Sequence, residues 1–489
     1  MTTKDKYFSY HIFYFPFKWN VEGGNEMNLS EQIDMNRIRF RETGGWLRTT
    51  STSGIDAVNL YNEKNYYYQF VHKVLYDDGS EESLIRHFER LESQKEGSDI
   101  RYRIKVKNRE KPYSLKVDAM NLNLYATGVG FLSLYLGNDR EDQSAPADIL
   151  FINQYGRRIM PPFFGDIVLR NETAESLEIE GLGKELRDDF YGYQINDAWK
   201  PASFIAELIE EVAVNLSFEP VIDDRMFVIC WYKNDSLCKS YKGKLDEYLK
   251  KGSDDDFWYR FLFVDGGSCT CQNDEMKYEL LKSHTYPRWE KWNSLYGATR
   301  YSMVYLTNNG VPDYLLTYFE TIYARMVELV LMQRASMLRF SEEVTKVSHL
   351  SHQETEVISK RISSLYKEYI HFVNQIYFRE VTAQDQGIEL YDMLQKNLKM
   401  EDYVKDLDGE IGELHQYVSL MDDRDRNKKA TMLNNLATLF LPVSVITGFW
   451  GMNEVCSVVK VSGFGWQLVT LIAGILFALC FIYSKKRRL

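Results

Sequence analysis

Two stretches near the C-terminal end of the chain carry no charged side chain, Ala430–Asn453 and Trp466–Tyr483. At about 1.5 Å per residue the first run, 24 residues long, crosses a hydrocarbon slab of roughly 30 Å; the second, at 18 residues, is near the lower limit for doing so. The linker between them, Glu454–Gly465, is short, with Glu454 and Lys460 its only charges. Arg424, Arg426, Lys428 and Lys429 precede the first run, and Lys485, Lys486, Arg487 and Arg488 follow the second. Basic residues flank membrane helices on the cytoplasmic side, so both flanks and the whole N-terminal part are expected in the cytoplasm. Trp450 and Trp466 fall at the outer ends and Tyr483 at the inner end, where interfacial aromatic residues belong. Met1–Tyr10 is polar and charged, without the apolar segment of an N-terminal signal. A buried helical hairpin in a soluble core competes poorly with a two-helix, multi-pass anchor. Lipid is therefore an expected partner.

The rest of the 489 residues reads differently. At that length two to four structural units are expected. With 59 basic against 70 acidic residues the net charge is −11, which argues against a nucleic-acid polymer as the main partner. Six cysteines without regular spacing do not make a disulfide framework. Residues 1–310 are dense in Tyr, Phe and Trp, and strand-like runs recur at Tyr10–Phe17, Tyr102–Val106, Tyr125–Leu136, Met226–Trp231, Tyr259–Val264 and Tyr301–Leu306. Helical stretches such as Ser203–Val214 intervene, so the expected fold class here is mixed α+β.

Residues 311–429 read as long helices. Leu407, Ile411, Leu414, Val418 and Met421 follow a 4-3-4-3 spacing, a short coiled-coil seam able to pack against neighbouring copies. Glu413–Leu441 contains neither Pro nor Gly, so one continuous stalk helix is expected to run into the bilayer. The expected units are thus 1–310, 311–429, a first membrane helix at 430–453, an outer loop at 454–465, a second membrane helix at 466–484 and a basic tail at 485–489.

Signs of an enzyme are weak. There is no Walker A loop, GxSxG elbow or HExxH helix, and Gly128-Val129-Gly130 lies inside a strand-like run rather than opening a helix. Cys269 and Cys271, with Cys230 and Cys238 upstream, lack paired zinc-ligand spacing and read as reduced structural thiols. His349, His352 and Glu356 read as a solvated helix face, and Asp254-Asp255-Asp256 as a solvated turn or helix start. No enzymatic activity is expected.

The first membrane helix is unusual in what it carries. Asn434, Asn435, Thr438, Ser444 and Thr447 are polar, and Pro442 interrupts the hydrogen-bond ladder, whereas Leu468–Ile482 is almost wholly apolar. Polar side chains in a spanning helix are costly unless they face a bundle interior or a watery path. The first helix is expected to line something and the second to face lipid.

Leu439-Phe440-Leu441-Pro442-Val443-Ser444-Val445-Ile446-Thr447-Gly448-Phe449-Trp450-Gly451-Met452-Asn453 resembles the CorA family of divalent-cation channels, in which a Pro-containing first membrane helix ends in an aromatic residue and Gly-Met-Asn. The resemblance covers residues 400–489 and extends over the helices from 313. It implies a homo-oligomer, a pentamer in that family, in a bacterial inner membrane, carrying Mg²⁺ or another divalent cation as permeant or regulatory ion. It implies a selectivity filter at Gly451, Met452 and Asn453, and pore-lining positions at Asn427, Ala430, Leu433, Ala437, Leu441 and Ser444. Mg²⁺ sheds water reluctantly, so neutral oxygens meeting its hydration shell suit a selective mouth. Where the family often has an aromatic residue after Asn, this chain has Glu454, an acidic outer mouth. The opening Phe13-Tyr14-Phe15-Pro16-Phe17-Lys18-Trp19 and the long N-terminal part look like the CorA-like proteins encoded beside type III CRISPR systems. That resemblance implies an antiviral effector gated by a nucleotide second messenger, an S-adenosylmethionine–AMP conjugate, with no binding residue assigned. The alternative is a housekeeping Mg²⁺ transporter gated by intracellular divalent cation.

Overall fold

The computed structural model describes residues 7–24, 28–41, 45–50, 57–90, 99–107, 109–161, 173–190, 200–222, 225–251, 256–348 and 355–451, with a few more at 472–474 and 476. The strands are β1 (Ser9–Val21), β2 (Trp46–Arg48), β3 (Ile85–Arg90), β4 (Arg101–Lys105), β5 (Tyr113–Tyr125), β6 (Val129–Asn138), β7 (Ser176–Glu180), β8 (Leu186–Asp189), β9 (Leu216–Pro220), β10 (Phe227–Lys233), β11 (Thr285–Tyr286), β12 (Leu295–Ala298) and β13 (Ser302–Thr307). Among the described residues they form one sheet, in the order β11-β12-β13-β10-β1-β6-β5-β4-β7-β8, with β9 added to β1 and β3 to β5, and β2 beyond β3. The pairings are antiparallel except β10 with β13.

The centre of the sheet is β1, and its sequence explains why. Ser-Tyr-His-Ile-Phe-Tyr-Phe-Pro-Phe-Lys-Trp-Asn-Val has large apolar residues on both alternating faces, so both faces must be covered. One side of the strand pairs with β6 from Ser9 to Lys18. The other pairs with β10 as far as Tyr14 and with β9 from Phe17 onward. Pro16, which has no N–H to give a ladder, sits in the gap where those two partners change. One face carries His11 and Phe13 towards the helix Pro146–Gly156, where His11 bonds Asn153. The opposite face carries Tyr14, whose hydroxyl donates to the Ala324 carbonyl at the start of the sheet-facing helix Ala324–Ser348. Phe13, Tyr14, Phe15, Phe17 and Trp19 are all fully buried. The aromatic density of the N-terminal part therefore builds core here and leaves no stacking surface on this strand.

Arg339 locks the sheet-facing helix in place. Its guanidinium is buried and donates to the carbonyls of Trp19 (2.7 Å) and Gly128 and to the Asn20 side-chain oxygen. Burial pushes its pKa down to about 10, which leaves it charged at neutral pH. Gly128 has φ +76 and lies in the turn between β5 and β6, which corrects the reading of Tyr125–Leu136 as one strand. Branched and aromatic residues on both sides of Ala126-Thr127-Gly128 masked the turn. Tyr259–Val264 is likewise not a strand: Phe257–Phe263 is a helix, its Phe257 and Phe261 rings stacked at 5.3 Å. Its aromatic residues favour a pleated surface, but burying the i and i+4 rings together overrides that preference.

The described chain divides into two compact units, Met1–His352 with Ser363–Ile411, and Gln353–Ile362 with Gly412–Leu489. The helices that follow residue 310 belong largely to the same unit as the sheet. Among the described residues two long helices follow: a return helix, Thr355–Gln375, and a stalk helix, Met400–Gly451, with the shorter Asp385–Asn397 between them. The stalk helix is continuous across Gly409 and Gly412 and across Pro442. In the first unit the Tyr369 hydroxyl of the return helix lies 3.4 Å from both the Val404 carbonyl and Asp408, and Leu407 and Ile411 are buried. In the second, Val418 is buried as well. Those seam residues are thus covered by their own chain rather than left for a neighbouring copy.

A methyl group on Gly128 would place its Cβ 2.5 Å from both Arg339 Nη1 and Ile33 Cγ2. Gly128→Ala is expected to lower folding stability by at least about 2 kcal/mol, from a disfavoured left-handed backbone plus displacement of the buried guanidinium. Urea unfolding of the full chain measures it; an unchanged midpoint would show that the turn tolerates a side chain.

Candidate functional site along the stalk helix

The six positions expected to line a pore all fall on the stalk helix. Asn427, Ala430, Leu433, Ala437, Leu441 and Ser444 occupy an arc of about 120°, at about 100° per residue. All six are exposed in the single chain. Leu433 is 67% exposed and Leu441 64%, and Met432 and Phe440, elsewhere around the helix, stand out as far. Large apolar side chains exposed on several sides of an uncharged helix are the kind of surface that a bilayer or further protein covers. The same helix changes character along its length. Before Ala430 its surface is charged, with Asp422, Asp423, Arg424, Asp425, Arg426, Lys428 and Lys429 close together and a 3.4 Å contact between Lys428 and Asp425. From Ala430 it carries none.

Gly451 is the last described residue of the helix. Met452, Asn453, the outer-mouth Glu454 and the linker lie outside the described residues, as do most of 466–484 and all of 485–489. Among the described residues no helix is long and apolar enough to cross a membrane.

The other sequence candidates separate. Cys230 is fully buried, its thiol pushed up by burial, and Cys238 is buried beside Tyr241, whereas Cys269 and Cys271 are partly exposed. Among the described residues no group of three or more His, Cys, Asp or Glu is arranged to hold a metal ion. His349, His352, Asp254 and Asp255 lie outside the described residues, and nothing is described of the Glu356 side chain; Asp256 forms an ion pair with Lys277 at 3.1 Å.

Sequence reasoning missed a constellation with the outline of a hydrolytic triad. Ser9 Oγ is 2.9 Å from His11 Nε2, and His11 Nδ1 is 2.7 Å from Asn153 Oδ1. Asn153 Oδ1 can only accept, so the ring proton sits on Nδ1 and Nε2 accepts from the Ser9 hydroxyl, whose oxygen in turn accepts from Asn138 Nδ2 at 3.1 Å. No residue spacing signals it, because Asn153 comes from a helix and the others from β1. Ser9 and His11 are wholly buried and Asn153 nearly so, which leaves no approach for a substrate. Burial lowers the His11 pKa to about 4, so the ring stays neutral where a general base would have to accept a proton. The trio is core hydrogen bonding.

That depression gives a pH dependence of definite sign. Between about pH 4 and 6.5 the unfolded chain binds a proton at His11 that the folded chain does not, so stability rises with pH across that window. The contribution is complete above 6.5 and lost as pH falls towards 4; at about 1.4 kcal/mol per pH unit it amounts to about 3 kcal/mol. Urea midpoints of wild-type and His11→Gln full-length protein should converge towards pH 4 and diverge towards pH 7. Parallel profiles would remove His11 as the source.

Residues 307–485 match the family model described as CorA-like Mg2+ transporter protein. No curated protein and no solved structure matches the chain. The match begins at Thr307, the last residue of β13, and covers the stalk helix with its exposed face. Members of that family transport Mg²⁺ and other divalent cations and form homo-oligomers in membranes. The chain thus carries a CorA-like Mg²⁺ transporter family domain at residues 307–485, joined to a large α+β part that precedes it.

Proposed function

We propose that this protein is an oligomeric divalent-cation channel of the CorA type, in a bacterial inner membrane with both termini in the cytoplasm. Residues 430–453 form the pore helix and 466–484 a lipid-facing second helix. The observation that carries this reading is the uncharged stretch of the stalk helix from Ala430, whose pore-assigned positions are exposed as far as Ser444, directly beyond a basic cluster and inside the matched region. Five copies, by resemblance, close a ring around that face. Gly451, Met452 and Asn453 then form the outer filter: backbone carbonyls at a helix C-terminus carry partial negative charge, and the Asn453 amide adds a neutral oxygen for the ion's water shell. Glu454 concentrates cations at the mouth.

Asn453→Ala removes the ring of amide oxygens. Mg²⁺ flux into proteoliposomes should fall by at least about tenfold, the loss of hydrogen bonds to a charged, hydrated ion, while the oligomer stays assembled. Wild-type flux from the variant would withdraw the filter assignment.

A second reading, the antiviral effector opened by an S-adenosylmethionine–AMP conjugate, has one observation in its favour. The first unit holds a cleft of about 580 Å³ lined by Tyr369, Tyr377, Arg379, Glu401, Lys405 and Asp408, among others, at the start of the stalk helix. Two aromatic rings beside two cations suit a nucleotide with its phosphate. A ligand opens a channel only by binding the open state more tightly than the closed one. Calorimetry of the full-length protein with the conjugate, with Lys405→Ala as comparison, should show binding that the variant weakens and flux that follows it. No heat, with flux answering only to Mg²⁺ concentration, favours the transporter gated by intracellular cation.

A further inference from the structure

We propose that Asn434 supplies a second ring of amides inside the span, two helical turns deeper than Asn427, whose oxygens meet the water shell of a passing divalent cation. The inference rests on the reading of 430–453 as the pore helix and adds a position absent from the resemblance-based set. Asn427, Asn434 and Leu441 are seven residues apart, and seven residues leave only about 20° of drift on a helix, so the three lie nearly in line. Asn434 therefore falls within the same arc as the six assigned positions, on the opposite flank of it from Leu433. Asn435 is about 100° further round, outside the arc, and half-buried.

The chemistry separates Asn434 from the other polar residues nearby. Thr438 satisfies itself, its hydroxyl donating to the Asn434 backbone carbonyl at 2.7 Å. The Asn434 amide is exposed, and among the described residues no group bonds to it. Its neighbours on the helix surface, Ala430, Thr431, Ala437 and Thr438, carry no charge, and Leu441 lies two turns further along the same line. An amide at membrane depth is costly unless it is hydrogen-bonded, and on this uncharged face the partner assigned to it is water in a shared path. A neutral amide oxygen suits that place. It accepts from the waters that Mg²⁺ retains, and it carries no charge that would hold the ion back. A pair of amide rings about 10 Å apart along the helix would then pass a hydrated ion from the inner mouth into the span.

Full-length protein in proteoliposomes loaded with a Mg²⁺ indicator tests this directly. Asn434→Leu should cut the initial Mg²⁺ flux by about tenfold, the effect of one hydrogen bond to an ion's water shell, whereas Thr438→Val, whose hydroxyl is already spent, should conduct like wild type. Unchanged flux in Asn434→Leu overturns the proposal. If that variant does not assemble, Asn434→Cys decides: a membrane-impermeant cationic thiol reagent should modify position 434, as read by mass spectrometry, and Mg²⁺ should slow the reaction. Absence of modification, or modification indifferent to Mg²⁺, overturns the proposal as well. Wild-type liposomes that carry no Mg²⁺ remove the channel reading and this one with it. Active wild-type protein with an indifferent position 434 removes only this one.

Discussion

The first unit depends on how one strand is covered. β1 is apolar on both faces, so it can be stable only with a helix layer on each side and strands on each edge. The sheet-facing helix closes one face, and Arg339 ties it to the carbonyls of Trp19 and Gly128, the points where β1 and the β5–β6 turn come together. A guanidinium taken wholly out of water is expensive, and what offsets the cost is the set of carbonyl and amide oxygens it meets. Lys18, on the same face, reaches Glu342 of that helix at 2.6 Å. Because the sheet-facing helix lies within the region that matches the transporter family, the sheet and the first part of that region share a core.

Covering the stalk helix follows a different rule. Near its start it is packed by its own chain, with Leu407 and Ile411 buried and Tyr369 against its backbone. Beyond Asn427, Met432, Leu433, Leu436, Phe440 and Leu441 are exposed. One continuous helix thus carries two kinds of surface, charged before Ala430 and uncharged beyond it.

The buried Ser9–His11–Asn153 trio and the free thiols show why residue identity alone misleads about chemistry here. A nucleophile, a base and an orienting amide at hydrogen-bond distance are arranged as in a hydrolytic site, yet they are sealed, and desolvation keeps the imidazole neutral. The same desolvation raises the Cys230 thiol, making it inert. Accessibility, a property of packing, decides both.

Much of the stalk and its exposed face was legible in the sequence, because charge exclusion over 24 residues and a helical spacing of apolar residues are local patterns that survive without tertiary information. The strands at Tyr10–Phe17, Tyr102–Val106, Met226–Trp231 and Tyr301–Leu306 were legible for the same reason. What the residues did not disclose was non-local. The turn at Gly128 is set by the space Arg339 takes; the helix at Phe257–Phe263 by burial that outweighs aromatic strand preference; the assignment of Leu407 and Ile411 by their burial within their own chain. Asn434 belongs to the same class, since its polarity is plain in the sequence, but that no group among the described residues bonds to its amide appears only once the helix is built and Thr438 is seen to be satisfied. Sequence alone determined which segments avoid charge and which alternate, because those patterns come from solvent exclusion along the chain; tertiary structure decided which polar groups are paired, because pairing depends on residues far apart in sequence.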